Sequence, residues 1–294
     1  MQELNGTGVA LVTPLHQDRT IDLTGLEKLI DYVLDGQVEY LVVMGTTAES
    51  PVLTWEEKMT VLNHAISYTK RRVPIVLGLG GNNTTEILQK LPEVDTKELT
   101  AILSVSPYYN KPSQEGLLYH YQAIAKQSKL PIVLYNVPGR TGSNIDAATS
   151  LQLADHENIV GLKDATADMN QIATIAKAKP DDFSLLSGED SLVLPAMSLG
   201  AEGVISVIAN FLPKEFSTMV RLANSGDYTQ ARKIHHQLLT AMELTGSEGN
   251  PTSIKTGLNT LGLMGKTVRL PLTEGSEELS RKYRAELESL NKGE

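Results

Sequence analysis

The chain has 294 residues, 41% hydrophobic and 21% charged, with a formal net charge of −9. That size and balance suit one large globular domain or two smaller ones, and an acidic chain without basic runs argues against nucleic acid or an anionic membrane as the main partner. The absence of cysteine removes disulfides, thiolate metal sites and cysteine nucleophiles.

In chain order, the opening MQELNGTGVALVTP lacks a basic stretch ahead of an apolar core, so no secretion leader is expected. No apolar run reaches the length of a bilayer-spanning helix, and a soluble cytoplasmic protein is the expectation. Apolar, β-branched-rich runs then recur: GVALVTP near residue 8, YLVVMGT near 40, VPIVLGLG near 73 and AILSVSP near 101. PIVLYNVP near 131, NIVGLKD near 158, FSLLSG near 183 and GVISVIAN near 203 continue the series. They are near-continuous rather than alternating, as parallel strands covered on both faces require. Helical patterns lie between them. DLTGLEKLIDYVLDG places Leu23, Leu26, Leu29, Ile30, Val33 and Leu34 at helical spacing, with Asp22 to cap its start and Gly36 to end it. Thr54 and Glu57 have capping-box spacing, and Ser113 suits the N-cap of SQEGLLYHYQAIAKQ.

Eight strands, each followed by a helical pattern, predict a (β/α)8 TIM barrel over residues 1–226. A doubly wound open sheet is the alternative, and it lacks a nucleotide fingerprint. GLGGNN at 78–83 has Asn83 where G-x-G-x-x-G needs glycine, so it reads as a tight strand-to-helix turn. After residue 226 the strands stop, and three helical patterns make residues 227–294 a C-terminal helical appendage packed on the barrel. The histidines form no spaced ligand pair, and adjacent His235 and His236 would point about 100° apart on a helix. No metal is expected.

A barrel of this kind builds its active site at the C-terminal ends of its strands. Those ends carry Thr13; Thr46, Thr47, Glu49 and Ser50; Tyr108, Tyr109 and Asn110; Tyr135, Asn136, Arg140 and Thr141; Lys163 and Asp164; SGED; and Ser206 and Asn210. Lys163 is the sharpest of these. Desolvation disfavours an ammonium, and a neutral amine is a nucleophile toward ketones and aldehydes. The competing reading is a lysine paired with Asp164 or another carboxylate, or one that reaches out to water. An arginine fork and paired hydroxyls nearby could each hold a carboxylate, and a tyrosine can relay protons. Tyr108 and Tyr109 could equally form an aromatic patch at a subunit interface.

The segments GTTAES, SPYYNKPSQEG, YNVPGRTG, GLKDAT and GVISVIAN together resemble the dihydrodipicolinate synthase branch of the class I, pyruvate-dependent aldolase/lyase family. The resemblance spans nearly the whole chain, and YNVPGRT is its most discriminating part. Sister enzymes such as N-acetylneuraminate lyase share the lysine and the tyrosine of strand 5 but generally lack the arginine. Ala48 departs from the family's usual glycine, and Ser253 from a common proline.

The resemblance implies that Lys163 forms a Schiff base with pyruvate, with no cofactor beyond that imine. It implies that Thr46 and Thr47 hold the pyruvate carboxylate, with Gly188 and Ile205 lining the pocket. Arg140 would hold the carboxylate of L-aspartate 4-semialdehyde. Tyr135, Thr47 and Tyr109 would form a proton relay, Tyr109 arriving from a neighbouring subunit of a homotetramer. The product would be 4-hydroxytetrahydrodipicolinate, on the diaminopimelate route to lysine. A lysine effector site would fall on Ser50, Pro51, Lys58, Asn82, Glu86 and Tyr108. Inhibited members commonly carry histidine where this chain has Lys58, so feedback by lysine is expected to be weak. The rival readings are an aldolase for sugar acids and a non-catalytic metabolite-binding barrel.

Overall fold

Each of the eight apolar runs forms a parallel strand, and the strands close in sequence order into one barrel. The computed structural model describes residues 4–292. The outermost residues of the expected division, 1–3 and 293–294, lie outside the described residues, as does the start of the segment read for a leader. The strands are β1 (Gly6–Ala10), β2 (Tyr40–Val43), β3 (Ile75–Gly78), β4 (Ala101–Val105), β5 (Ile132–Asn136), β6 (Ile159–Asp164), β7 (Ser184–Ser187) and β8 (Gly203–Ser206). The helices between them are α1 (Leu23–Asp35), α2 (Trp55–Thr69), α3 (Thr84–Lys90), α4 (Gln114–Gln127), the short α5 (Pro138–Thr141) and α6 (Ala147–Ala154). α7 (Met169–Ala178), α8 (Val193–Ser198) and α9 (Pro213–Asn224) complete the ring. α10 (Tyr228–Gly246), α11 (Thr252–Thr260) and α12 (Glu277–Lys292) form the C-terminal region.

Local chemistry sets the boundaries. Asp22 accepts from the Gly25 N–H at the start of α1, and Gly36 closes its end. Thr54 and Glu57 exchange both bonds of a capping box at α2, and Ser113 caps α4. Asn83 caps α3, so the glycine-rich 78–83 stretch is a strand-to-helix turn. Alternation along the strands then divides two cores. In β5, Ile132 and Leu134 pack outward against the helices, while Val133 and Tyr135 face the barrel interior. Each such fully buried side chain stabilises the fold by about 1.5–3 kcal/mol. Tyr40 lies inside the barrel across from Gly8, where any Cβ would sit 2.1 Å from the tyrosine ring. Glycine is therefore required there to let the ring in.

The seam between last and first strand is pinned by Asn210. Its Oδ1 accepts from Val12 N–H at 3.3 Å and its Nδ2 donates to the Ala10 carbonyl at 2.8 Å. In the C-terminal region α10 packs against α9 and α8, and α11 and α12 pack against α10. Tyr283 of α12 meets Phe211 edge-on at 4.9 Å, and Gly257 of α11 leaves room for the Tyr283 ring. No helix among the described residues is long and apolar enough to cross a membrane.

Candidate active site

The alternation that sends Leu162 to the outer core turns Lys163 inward, where it is 5% exposed. In the sheet register Lys163 stands directly beside Tyr135, and its Nζ lies 4.2 Å from the centre of the Tyr135 ring. Lys255 and Lys179, whose side chains are also withdrawn from water, are both engaged. Lys255 Nζ pairs with Glu49 at 2.5 Å, and Lys179 Nζ with Glu202 at 2.9 Å. Among the described residues, no carboxylate lies within ion-pairing distance of Lys163.

Pairing with Asp164 is excluded by alternation, which turns that carboxylate the other way. Asp164 Oδ1 accepts from the Thr166 N–H and hydroxyl, at 2.9 and 2.5 Å. Its Oδ2 accepts from Asn136 Nδ2 at 3.2 Å and Gln171 Nε2 at 2.8 Å. Asp164 and Asn136 therefore organise the loops, leaving the amine free. Gly188 flanks it: a Cβ there would come within 2.9 Å of Lys163 Cε and 2.6 Å of Ala165 Cβ.

Lys163 opens into a cavity of about 300 Å³ whose wall includes Thr46, Thr47, Tyr135, Arg140 and Gly188. Thr46–Ala48 form a 3₁₀ turn directly after β2. Ala48 is buried, and its carbonyl accepts from the Thr13 hydroxyl at 2.8 Å. The left-handed residue of the turn is Glu49, at φ 59°, so the methyl of Ala48 meets no backbone penalty. Ser253, the other departure, accepts from the Glu248 N–H at 2.9 Å and donates its own N–H to the Gly249 carbonyl at 2.8 Å. Both contacts are closed to a proline, which has neither the hydroxyl nor the N–H. Glu189 also borders the cavity; burial, then Asp190, raises its carboxyl above the usual range, while Lys163 and Arg140 oppose the rise. Asp190 itself is buried and anchors the β8 exit by accepting from the Val207 and Ile208 N–H groups at 3.0 and 2.8 Å.

Several placements differ from the sequence reading. Ile205 is packed in the cluster inside the barrel that also holds Tyr135, and Val207 of the same stretch borders the cavity. The barrel does not carry the site alone, because Met242, Thr245 and Asn250 of the C-terminal region also form the wall. Asn250 is the residue that sequence reasoning missed. Its Nδ2 donates to Thr47 Oγ1 at 3.1 Å, and its carbonyl accepts from Arg140 at 3.4 Å. An Asn-Pro pair in a loop reads only as a turn, so no local signal marks it. Tyr109 is 88% exposed, with φ 72°, and reaches no part of its own chain's cavity.

A second cavity of about 270 Å³ adjoins the first, sharing Thr46, Tyr135 and Arg140. Of the six expected effector positions, Ser50, Pro51, Lys58 and Tyr108 line it. Asn82 and Glu86 do not; the Asn82 carbonyl accepts from Asn110 at 2.9 Å, and Glu86 is exposed in the first turn of α3. Lys58 is half-buried, and desolvation, then the nearby Lys90, lowers its ammonium pKa. No ion pair joins Lys58 to Glu86 among the described residues.

The model of the dihydrodipicolinate synthetase family matches residues 3–290. The 4-hydroxy-tetrahydrodipicolinate synthase of Parabacteroides distasonis is 49% identical over 92% of this chain and 91% of its own. The structure of a chloride-inhibited dihydrodipicolinate synthase from Acinetobacter baumannii, complexed with pyruvate, superposes with a TM-score of 0.95 at 37% identity. That match covers 98% of this chain and 99% of the other. A variant described as the first monomeric dihydrodipicolinate synthase also superposes at 0.95, with 34% identity over 99% of this chain and 98% of its own.

Proposed function

The chain belongs to the dihydrodipicolinate synthetase family, lyases that condense pyruvate with L-aspartate 4-semialdehyde on the diaminopimelate route to lysine, and from that premise we propose that Lys163 is the amine that carries the reaction. The observation that carries this reading is a buried, inward-facing lysine with no carboxylate partner among the described residues, beside Tyr135, in a cavity shared with Thr46, Thr47 and Arg140. The Lys163 amine attacks the ketone carbon of pyruvate, and water leaves to give an imine. Hydroxyls of Thr46 and Thr47 hold the pyruvate carboxylate. Loss of a proton from the methyl carbon gives an enamine, which forms a carbon–carbon bond to the aldehyde of the second substrate. The oxygen so generated takes up a proton. Arg140, at the cavity mouth, holds the carboxylate of the semialdehyde. The semialdehyde's amino group then attacks the imine carbon, closing the ring and expelling Lys163.

Tyr135 and Thr47, both in the wall, move these protons. Asn250 supports this role for Thr47. By donating to Oγ1 it leaves the threonine's own proton free to point into the cavity. Tyr109 completes the relay only if another subunit supplies it; its exposure suits insertion into a neighbouring chain, and a homotetramer is the assembly proposed here.

Steady-state kinetics of Lys163→Ala test the assignment. Turnover falls by orders of magnitude while the thermal midpoint stays near that of the parent chain. Retention of turnover within about tenfold would reject Lys163 as the nucleophile. Parallel cleavage assays with N-acetylneuraminate and 2-keto-3-deoxygluconate, each of which would release pyruvate, test the rival substrate class.

A further inference from the structure

The other fully buried lysine, Lys255, pairs with Glu49, and the pair joins the C-terminal helices to the turn after β2. The side chains are 0% and 1% exposed. Both carboxylate oxygens are engaged: Oε1 accepts from Lys255 Nζ at 2.5 Å and Oε2 from the Arg269 N–H at 2.9 Å. Lys255 also donates to the Thr267 carbonyl at 2.9 Å. Desolvation pushes the Lys255 ammonium pKa down, and Glu49 pulls it back up.

Burying two charges is a poor way to gain stability. Their desolvation offsets much of the attraction, and well-packed apolar side chains of similar volume often serve as well or better. Charges supply direction instead, since each bond has a fixed length and angle. The direction here falls on one backbone position. Glu49 is left-handed, at φ 59°, and links two successive 3₁₀ turns. Its N–H bonds the Thr46 carbonyl at 3.2 Å, and its own carbonyl accepts from Val52 at 3.0 Å. The locked residue is therefore the one that closes the Thr46–Ala48 turn. Arg269 secures the same strip of the C-terminal region through Glu57, the Val52 carbonyl and the Arg19 carbonyl.

We infer that the buried Glu49–Lys255 pair is a positioning device that holds the Thr46–Thr47 turn in register with Lys163, making the C-terminal helices part of the pyruvate site. The inference rests on the reading that this turn binds the pyruvate carboxylate. Neither Glu49 nor Lys255 touches substrate. Their effect runs through the placement of Thr46 and Thr47, and it falls on pyruvate rather than on the semialdehyde held by Arg140.

The test is the double variant Glu49→Leu/Lys255→Met of the full chain, which removes both charges together. Expected are a thermal midpoint no lower than that of either single variant and a pyruvate KM raised roughly 10- to 100-fold, with the semialdehyde KM changed less than about twofold. Parent values for both substrates would overturn the inference, as would an equal rise in both KM values. Glu49→Gln is the second variant. Its amide keeps the volume but can accept from only one of the two donors, so it too raises pyruvate KM selectively. Failure of both variants to fold would assign the pair to stability alone and overturn the inference. Thr47→Val separates this inference from the reading beneath it. If Thr47→Val leaves pyruvate KM unchanged, the carboxylate assignment has failed; if it raises pyruvate KM while the pair variants do not, the positioning role has failed.

Discussion

Gly188→Ala is expected to damage the reaction far more than the fold. The added Cβ would lie 2.6 Å from Ala165 Cβ and 2.9 Å from Lys163 Cε, so something must move. The Gly188 backbone cannot retreat freely, because its N–H is bonded to the Asp164 carbonyl at 2.7 Å. Ala165 is tied as well, through its N–H to the Asn136 carbonyl at 2.8 Å. Lys163 Cε, near the end of a flexible side chain, yields most easily. Overpacking of this kind costs about 1–3 kcal/mol of stability. Displacing a reacting nitrogen by on the order of 1 Å costs about 10²-fold in rate. The assay pairs thermal melting with the single-turnover rate of imine formation, trapped by borohydride. A melting point lowered by a few degrees, with imine formation slowed about a hundredfold, is the expected pattern. An unchanged trapping rate would refute the argument that Gly188 is glycine for the sake of Lys163.

Arg140→Ala should still form the pyruvate adduct while raising the apparent KM for the semialdehyde. Loss of a charge-assisted carboxylate bond is worth about 1.5–3 kcal/mol, or roughly 10- to 150-fold; loss of pyruvate binding instead would mean that the carboxylate sites are exchanged. His120 is buried, and burial lowers its pKa from 6.5 to about 4. The unfolded chain thus binds the extra proton first, and stability present above pH 6.5 declines as pH falls toward about 4, by about 3 kcal/mol at most. Denaturant titrations across that range should show a shallower decline in His120→Gln, and equal slopes would reject the contribution. Lys58→His should strengthen inhibition by lysine, because it removes a half-buried cation from the wall of the second cavity, where contact-range repulsion is on the order of 1–4 kcal/mol. An unchanged inhibition curve would place the cause elsewhere.

The barrel was legible because parallel strands covered on both faces leave continuous apolar runs, such as YLVV and IVLYN, that alternating strands do not. Helix caps were legible because Asp22, Thr54 and Ser113 act on neighbours within the same turn. Strand-end position alone put Thr46, Thr47, Tyr135, Arg140 and Lys163 at one end of the barrel. What stayed hidden was contact across long separations. Asn250 reaches Thr47 over 203 positions, and Lys255 reaches Glu49 over 206, with no periodicity linking either pair. That Lys163 is free and Lys255 occupied depends on where carboxylates fall in space, which spacing along the chain does not encode.

That contrast makes the decisive measurement one of position. Incubation with pyruvate, reduction with borohydride and peptide mapping by mass spectrometry identify the amine that formed the imine. A reduced pyruvyl group on the peptide carrying Lys163, absent from Lys163→Ala, is the predicted result. An adduct on Lys255 or any other lysine, or one that persists in Lys163→Ala, would contradict the account.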